Sequence, residues 1–189
     1  MRIIAGKLKG SNIHLPKNKN TRPLKDLARE SIFNLLIHST KIDFQLYQAN
    51  ILDLFSGTGS FGLECLSREA KNVCFVEKEK NNIEILEKNI EKLKLKNKTK
   101  IIFDDVFNSF KNNYINKIKF NLIFLDPPFK EKNIQNLIKI IFNKNILKKD
   151  GIIILHRNKN TNELFPNFFK KIEERNYGIS KIIFGKLLN

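Results

Sequence analysis

Tryptophan is absent from the 189 residues, and cysteine occurs only at Cys65 and Cys74. Sixteen phenylalanines stand beside the missing tryptophan, a bias of composition across the whole chain that says nothing about function. Two cysteines at that spacing exclude a zinc site of the C-x-x-C type. Cys65 falls in a helical pattern and Cys74 in an apolar strand, so both read as small buried hydrophobes, and no metal is expected. No run approaches the ~18 apolar residues of a membrane span. The opening Met1-Arg2-Ile3-Ile4-Ala5-Gly6-Lys7 has no apolar stretch of signal-peptide length. A cytoplasmic protein with no membrane partner is the expectation. No repeat period and no Pro/Gly/Ser-rich linker divides the chain.

Acidic side chains are scarce as well: 19 against 35 basic ones, a formal net charge of +16. Such an excess favours polyanionic partners, because each Lys or Arg that meets a phosphate releases a condensed counterion. A lysine-rich surface that serves solubility would give the same total, so the distribution matters more. Residues 1–29 carry Arg2, Lys7, Lys9, Lys17, Lys19, Arg22, Lys25 and Arg29 against the single acid Asp26. The reading is a basic N-terminal arm or hairpin over residues 1–20, followed by one domain over 21–189.

Apolar spacing predicts a helix over 23–37, then a connection or further helical turn over 39–49. From residue 50 strands and helices alternate. Strands are predicted at 51–55, 73–76, 101–103, 122–125, 152–155 and 179–187. Helices are predicted at 60–68, 79–94, 107–115 (weakly), 132–143 and 162–175. Near-continuous apolar strands separated by helices imply an α/β fold with a mostly parallel sheet covered on both faces. Ligands of such sheets bind beyond the carboxyl ends of the strands where strand order reverses, just after residues 55, 76, 103 and 125.

Those places hold the residues with chemistry. Asp53-Leu-Phe55-Ser-Gly57-Thr58-Gly59-Ser-Phe-Gly62 spells G-x-G-x-x-G, and Glu77 lies 20 positions after Gly57. Glycines allow a tight turn and close backbone approach, and the acid can accept two ribose hydroxyls. A dinucleotide and S-adenosylmethionine both fit that much. Asp53 favours the second: an acid in an apolar strand needs a partner, which a cationic α-amino group supplies and a pyrophosphate does not. Asp126-Pro127-Pro128-Phe129 follows the fourth strand. Its prolines fix the chain and remove two N–H donors, leaving a rigid turn that presents the Asp126 carboxylate and the Pro127 carbonyl as acceptors beside a flat phenyl face. That set suits an exocyclic amino group on a base. Two acceptors on its hydrogens would localise a nitrogen lone pair otherwise delocalised into the ring, and Phe129 would stack.

Taken together, Asp53-x-Phe55-x-Gly57-x-Gly59, Glu77, Asp105-Val106 and Asp126-Pro-Pro-Phe129 resemble class I methyltransferases of base amino groups. Arg2-Ile-Ile-Ala-Gly6, Arg22-Pro23-x-x-Asp26-x-x-Arg29-Glu30-x-x-Phe33-Asn34 and Phe55 to Arg68 narrow the likeness. They resemble the bacterial RsmD family of small-subunit (16S) ribosomal RNA guanine-N2 methyltransferases, and the likeness spans the chain. It implies a Rossmann-like fold with a mostly parallel seven-stranded sheet, and S-adenosylmethionine as cofactor. Its cofactor set would be Asp53, Phe55, Gly57, Thr58, Gly59, Glu77, Lys78, Asp105 and Val106: Asp53 on the methionine part, Glu77 on the ribose, Asp105 and the Val106 N–H on the adenine. Asp126, Pro127, Pro128 and Phe129 would be catalytic. Arg2, Lys7, Lys9, Arg22, Arg29 and Glu30 would meet RNA or shape the entrance to the base pocket. Two positions depart from the family: Leu24 stands where threonine is usual, and Leu155 precedes His156 where an acid is frequent. No role follows for His156, which reads as a structural histidine.

The implied partner is ribosomal RNA in an assembled or assembling small subunit, methylated by a monomer after the target base flips out. Guanine itself rests on the family likeness. An adenine-N6 enzyme on DNA or RNA is the nearest alternative. An NAD-dependent oxidoreductase would share the glycine motif but leave Asp53 and the D-P-P-F turn unexplained.

Overall fold

A computed structural model describes residues 1–16 and 26–188. The elements are α1 (Asp26–His38), β1 (Asn50–Leu54), α2 (Ser60–Ser67), β2 (Asn72–Glu77), α3 (Lys80–Lys92), β3 (Thr99–Phe103), α4 (Val106–Ser109), α5 (Asn113–Lys117), β4 (Phe120–Leu125), α6 (Ile134–Asn143), β5 (Leu147–Asn158), β6 (Phe169–Tyr177) and β7 (Ser180–Leu187). The seven strands form one sheet in the order β3-β2-β1-β4-β5-β7-β6. Pairing is parallel from β3 to β5 and antiparallel for β5–β7 and β7–β6. Strand order reverses between β1 and β4, so the crevice forms outside their carboxyl ends.

Successive residues of a strand point to opposite faces, and the core divides accordingly. Ile51, Phe75, Leu122, Phe124 and Ile154 pack under α1, α2 and α3. Leu52, Leu54, Val76, Ile123 and Leu155 pack under the α4–α6 side. Both faces being covered explains why these strands read as unbroken apolar runs. Cys65 and Cys74 are free and buried, one on each side.

One expected element is wrong. Residues 162–175 do not form a helix; Phe169–Tyr177 is the outer strand of a hairpin with β7. Lys170, Lys171, Glu173, Glu174 and Arg175 suit a helix by propensity, but pairing with β7 overrides it. Charge on an edge strand also blunts edge-to-edge association. The local signal for the hairpin was Gly178: Tyr177 pairs with Ser180, leaving Gly178 at the first central position of a two-residue turn with φ +59°.

The N-terminal segment is built into the core. Arg2 and Asn12 bridge antiparallel, and Ile3 and Ile13 are buried with Phe33. Buried Glu64 of α2 accepts the Ile4 and Ala5 N–H groups at 2.8 and 2.9 Å, and Arg68 Nε at 2.9 Å. Gly6, at φ +83°, lies where a Cβ would stand 2.0 Å from the Ser67 carbonyl oxygen. Only glycine allows that approach. Among the described residues no helix is long and apolar enough to cross a membrane.

Candidate active site

β1 leads into a turn whose backbone is left-handed at Phe55 (φ +60°), Gly57 (+55°) and Gly59 (+82°) before α2 begins. Gly57 and Gly59 differ in what surrounds them. A Cβ on Gly57 would meet nothing within 4 Å, whereas one on Gly59 would stand 2.3 Å from Leu86 Cδ1 and 3.3 Å from Phe75 Cε1. Gly57 therefore faces the cleft, and Gly59 lets the turn lie on α3. Behind them, Asn89 of α3 donates to the Thr58 carbonyl at 3.2 Å and holds the His14 N–H and carbonyl at 2.7 and 3.1 Å. One side chain ties the turn to the N-terminal segment.

Carboxylates ring this turn. Asp53 is 1% exposed and accepts the Gly62 N–H at 3.0 Å, at the N-terminus of α2. Burial pushes its pKa well above the ordinary range; the Gly62 bond opposes this, and the charges of Asp126 and Glu77 add to it. Buried Glu77 ends β2 and accepts three backbone N–H groups: Gly57 at 2.7 Å, Lys78 at 2.9 Å and Glu79 at 2.8 Å. Asp105 caps α4 through the Phe107 N–H at 3.0 Å and lies 3.4 Å from Lys78 Nζ, with Val106 buried beside it. A buried acid with further carboxylates beside it suits a cation and repels a pyrophosphate.

Across the strand reversal, β4 ends in the D-P-P-F turn. The Asp126 N–H donates to the Leu54 carbonyl at 3.3 Å, which joins the turn to the end of β1. Asp126 Oδ1 lies 2.7 Å from His156 Nδ1, and His156 Nε2 lies 2.8 Å from Ser180 Oγ. The Phe129 ring stands edge-on to the imidazole, with centroids 5.7 Å apart and planes at 74°. Arg157, 3% exposed, donates to the Pro128 carbonyl at 3.1 Å and the Glu131 carbonyl at 2.6 Å while pairing with Glu163. Among the described residues no donor reaches the Pro127 carbonyl or Asp126 Oδ2.

The profile of the family described as conserved hypothetical protein 95 matches residues 1–186. The Haemophilus influenzae protein named ribosomal RNA small subunit methyltransferase D is 31% identical over 179 residues, covering 95% of this chain and 90% of the relative. The chain belongs to the RsmD family. The Escherichia coli relative of the same name is 30% identical over 155 residues, 81% of this chain and 72% of that one. Among solved structures, the E. coli protein yhhF, named as a candidate methyltransferase, superposes with a TM-score of 0.84 at 24% identity, covering 100% of this chain and 98% of the other. Haemophilus influenzae HI0767, named as a candidate methylase, superposes at 0.76 with 27% identity, covering 100% and 98%. The fold is the Rossmann-like fold of class I methyltransferases.

Within that family frame, the residues singled out from sequence fall into three places. Asp53, Phe55, Gly57, Thr58, Gly59, Glu77, Lys78, Asp105 and Val106 line the ends of β1, β2 and β3, and Asp126 to Phe129 follow β4. Arg2, Lys7 and Lys9 are exposed on the N-terminal segment, Lys7 in a 2.7 Å pair with Glu69, and Glu30 is exposed on α1. Arg22 lies outside the described residues. Arg29 needs correction as an RNA or entrance residue. It is fully buried, and its guanidinium donates to the Arg2 carbonyl at 2.6 Å, Met1 Sδ at 3.1 Å and Asp26 Oδ1 at 3.0 Å. A charge so enclosed anchors the N-terminal segment and is out of reach of a phosphate. His156 and Arg157, given no part by sequence, grip the D-P-P-F turn from the next strand.

Proposed function

We propose that this chain transfers the methyl group of S-adenosylmethionine to the exocyclic N2 of a guanine in small-subunit ribosomal RNA. The observation that carries the reading is the Asp126 turn. Its carboxylate has one oxygen held by His156 and the other unpaired among the described residues, beside an unpaired Pro127 carbonyl and a phenyl face. The names of the family's relatives support ribosomal RNA as substrate and methyl transfer as reaction.

S-adenosylmethionine supplies an electrophilic methyl group on a cationic sulfur. The acid-ringed turn after β1 fits such a molecule: Gly57 leaves open space where a Cβ would intrude, and Asp53 and Glu77 suit positive charge and hydroxyl donors. Asp53 holds the methionine end, Glu77 the ribose, and Asp105 with the Val106 N–H the adenine. On the base side, Asp126 and the Pro127 carbonyl accept the two amino hydrogens and concentrate electron density on the nitrogen, while Phe129 stacks on the ring. This is positioning and electrostatics, with no strong base required. The base reaches the turn by flipping, at a cost of a few kcal/mol of unstacking. Arg2, Lys7 and Lys9 contribute phosphate contacts, which position without reading sequence. One small domain has little surface for reading a long site, so the shape of a partly assembled small subunit supplies the specificity.

The test incubates the protein with methyl-labelled S-adenosylmethionine and small subunits from cells lacking it, then identifies the labelled nucleoside. N2-methylguanosine is expected. Asp126→Ala should lower turnover by about 100- to 1,000-fold, the cost of removing one preorganised electrostatic contact. N6-methyladenosine would overturn guanine as the target, and equal labelling of naked 16S RNA would overturn the particle as the preferred substrate.

A further inference from the structure

A histidine that merely fills a core is satisfied by whatever lies nearest; the imidazole of His156 instead joins three strands at the one turn where the chemistry is placed. Parallel pairing of Leu125 with Leu155 carries Asp126 and His156 to adjacent positions past the end of the register. β7 runs antiparallel on the other side of β5 and brings Ser180 to the far ring nitrogen. His156 is 6% exposed, so the imidazole side of both bonds is shielded from bulk water.

We infer that His156 is a positioning residue for the methyl-transfer reaction: as a neutral Nδ1–H donor it occupies one oxygen of Asp126 and aims the other at the amino group of the base. The inference rests on the function proposed above and names a residue that the family pattern leaves unassigned. An ionised carboxylate only accepts, so the 2.7 Å contact requires the proton on Nδ1. A neutral ring then has a bare Nε2, which accepts the Ser180 hydroxyl at 2.8 Å. Asp126, which can only accept, selects the tautomer, and the Ser180 hydroxyl, free to donate, completes it, so that the plane of the carboxylate is fixed with Oδ2 left for the substrate. The same ring meets the edge of Phe129, so one side chain sets both the acceptor and the stacking face.

Two amides separate this role from a structural one. Asparagine at position 156 can place its N–H2 where Nδ1–H stands, whereas glutamine places its amide near Nε2 and Ser180. With small subunits as substrate, His156→Asn should keep kcat within about threefold of wild type. His156→Gln should lose about 10- to 100-fold, the size expected when a reacting group is displaced by a fraction of an ångström to an ångström. Both should keep the KM for subunits and the Kd for S-adenosylmethionine. Equal kcat values for the two variants would overturn the role. The labelled nucleoside from wild type, read in the same assay, judges the target base separately, because the contrast between the amides holds for any base amino group. Nitrogen-15 NMR of the histidine ring needs no turnover at all. A protonated Nδ1 and a bare Nε2 are expected at His156, assigned against His14 and His38 by its loss in His156→Asn. An Nε2–H tautomer would overturn the inference even if methylation proceeds as proposed.

Discussion

The turn after β1 and the turn after β4 face the same crevice but are held by different means. After β1 the turn supplies backbone donors: the Gly57 and Gly62 N–H groups go to the carboxylates of Glu77 and Asp53, and glycines supply the conformations. After β4 two prolines remove the donors that a backbone-made turn would use. The turn is gripped by side chains of the neighbouring strand, His156 on the Asp126 carboxylate and Arg157 on the Pro128 and Glu131 carbonyls. A turn that offers its own N–H groups is fixed by backbone it already has. On the proposed reading the second turn meets the base, and its acceptors are aimed by side chains of β5.

If that contrast is right, removing the side-chain grip should damage the second turn most. Arg157→Met keeps the volume but leaves Glu163 and two carbonyls without their donor. Breaking a buried pair on one side costs about 3–5 kcal/mol, read as a fall in the denaturation midpoint, with turnover falling further. Arg157→Lys should recover part of the stability, since an ammonium cannot span both carbonyls. Equal stability of Arg157→Met and wild type would show that the turn holds itself.

Next in size is the glycine contrast in the first turn. Gly59→Ala should cost about 2–5 kcal/mol, from left-handed strain of about 1–2 kcal/mol and overpacking of about 1–3 kcal/mol against Leu86. Gly57→Ala carries the strain alone and should cost about 1–2 kcal/mol, while its methyl group projects into the cleft and weakens S-adenosylmethionine binding. Unfolding midpoints and a cofactor titration separate the two. A Gly57 variant that binds the cofactor normally would remove Gly57 from the cofactor's path.

The first turn was legible in the sequence because its parts are close together. Asp53 to Gly62 is one continuous segment, and Glu77 lies at a fixed distance imposed by one strand-turn-helix unit. The D-P-P-F motif was legible for the same reason, but its grip was not: Asp126 and His156 are 30 positions apart and meet only through the order of β4, β5 and β7. Arg29 shows the opposite failure. A basic residue in a basic segment reads as a surface charge, and nothing local shows that Met1 and the Arg2 carbonyl close over it. Likewise the sequence of β6 reads as a helix because Lys and Glu propensities are local and strand pairing is not.

Asp53 gives the smallest effect and the sharpest statement about the first turn. Its folded pKa is raised, chiefly by burial, so the folded state binds its proton more tightly than the unfolded chain does. Stability is then lost as pH rises from the ordinary carboxylate range toward the folded value, because ionised Asp53 is costly in the fold and not in the unfolded chain. Asp53→Asn keeps an oxygen for the Gly62 N–H and removes the ionisation. The variant should match wild type in acid and melt at a higher temperature than wild type near neutrality, the gap opening as pH rises. Affinity for S-adenosylmethionine should move the other way, falling about 10-fold for the loss of one charge-assisted hydrogen bond. A site shaped for a cation is expected to carry this conflict, since the acid that binds the ligand burdens the fold without it. Higher stability together with unchanged affinity would mean that Asp53 serves the turn alone and that the methionine amino group is held elsewhere.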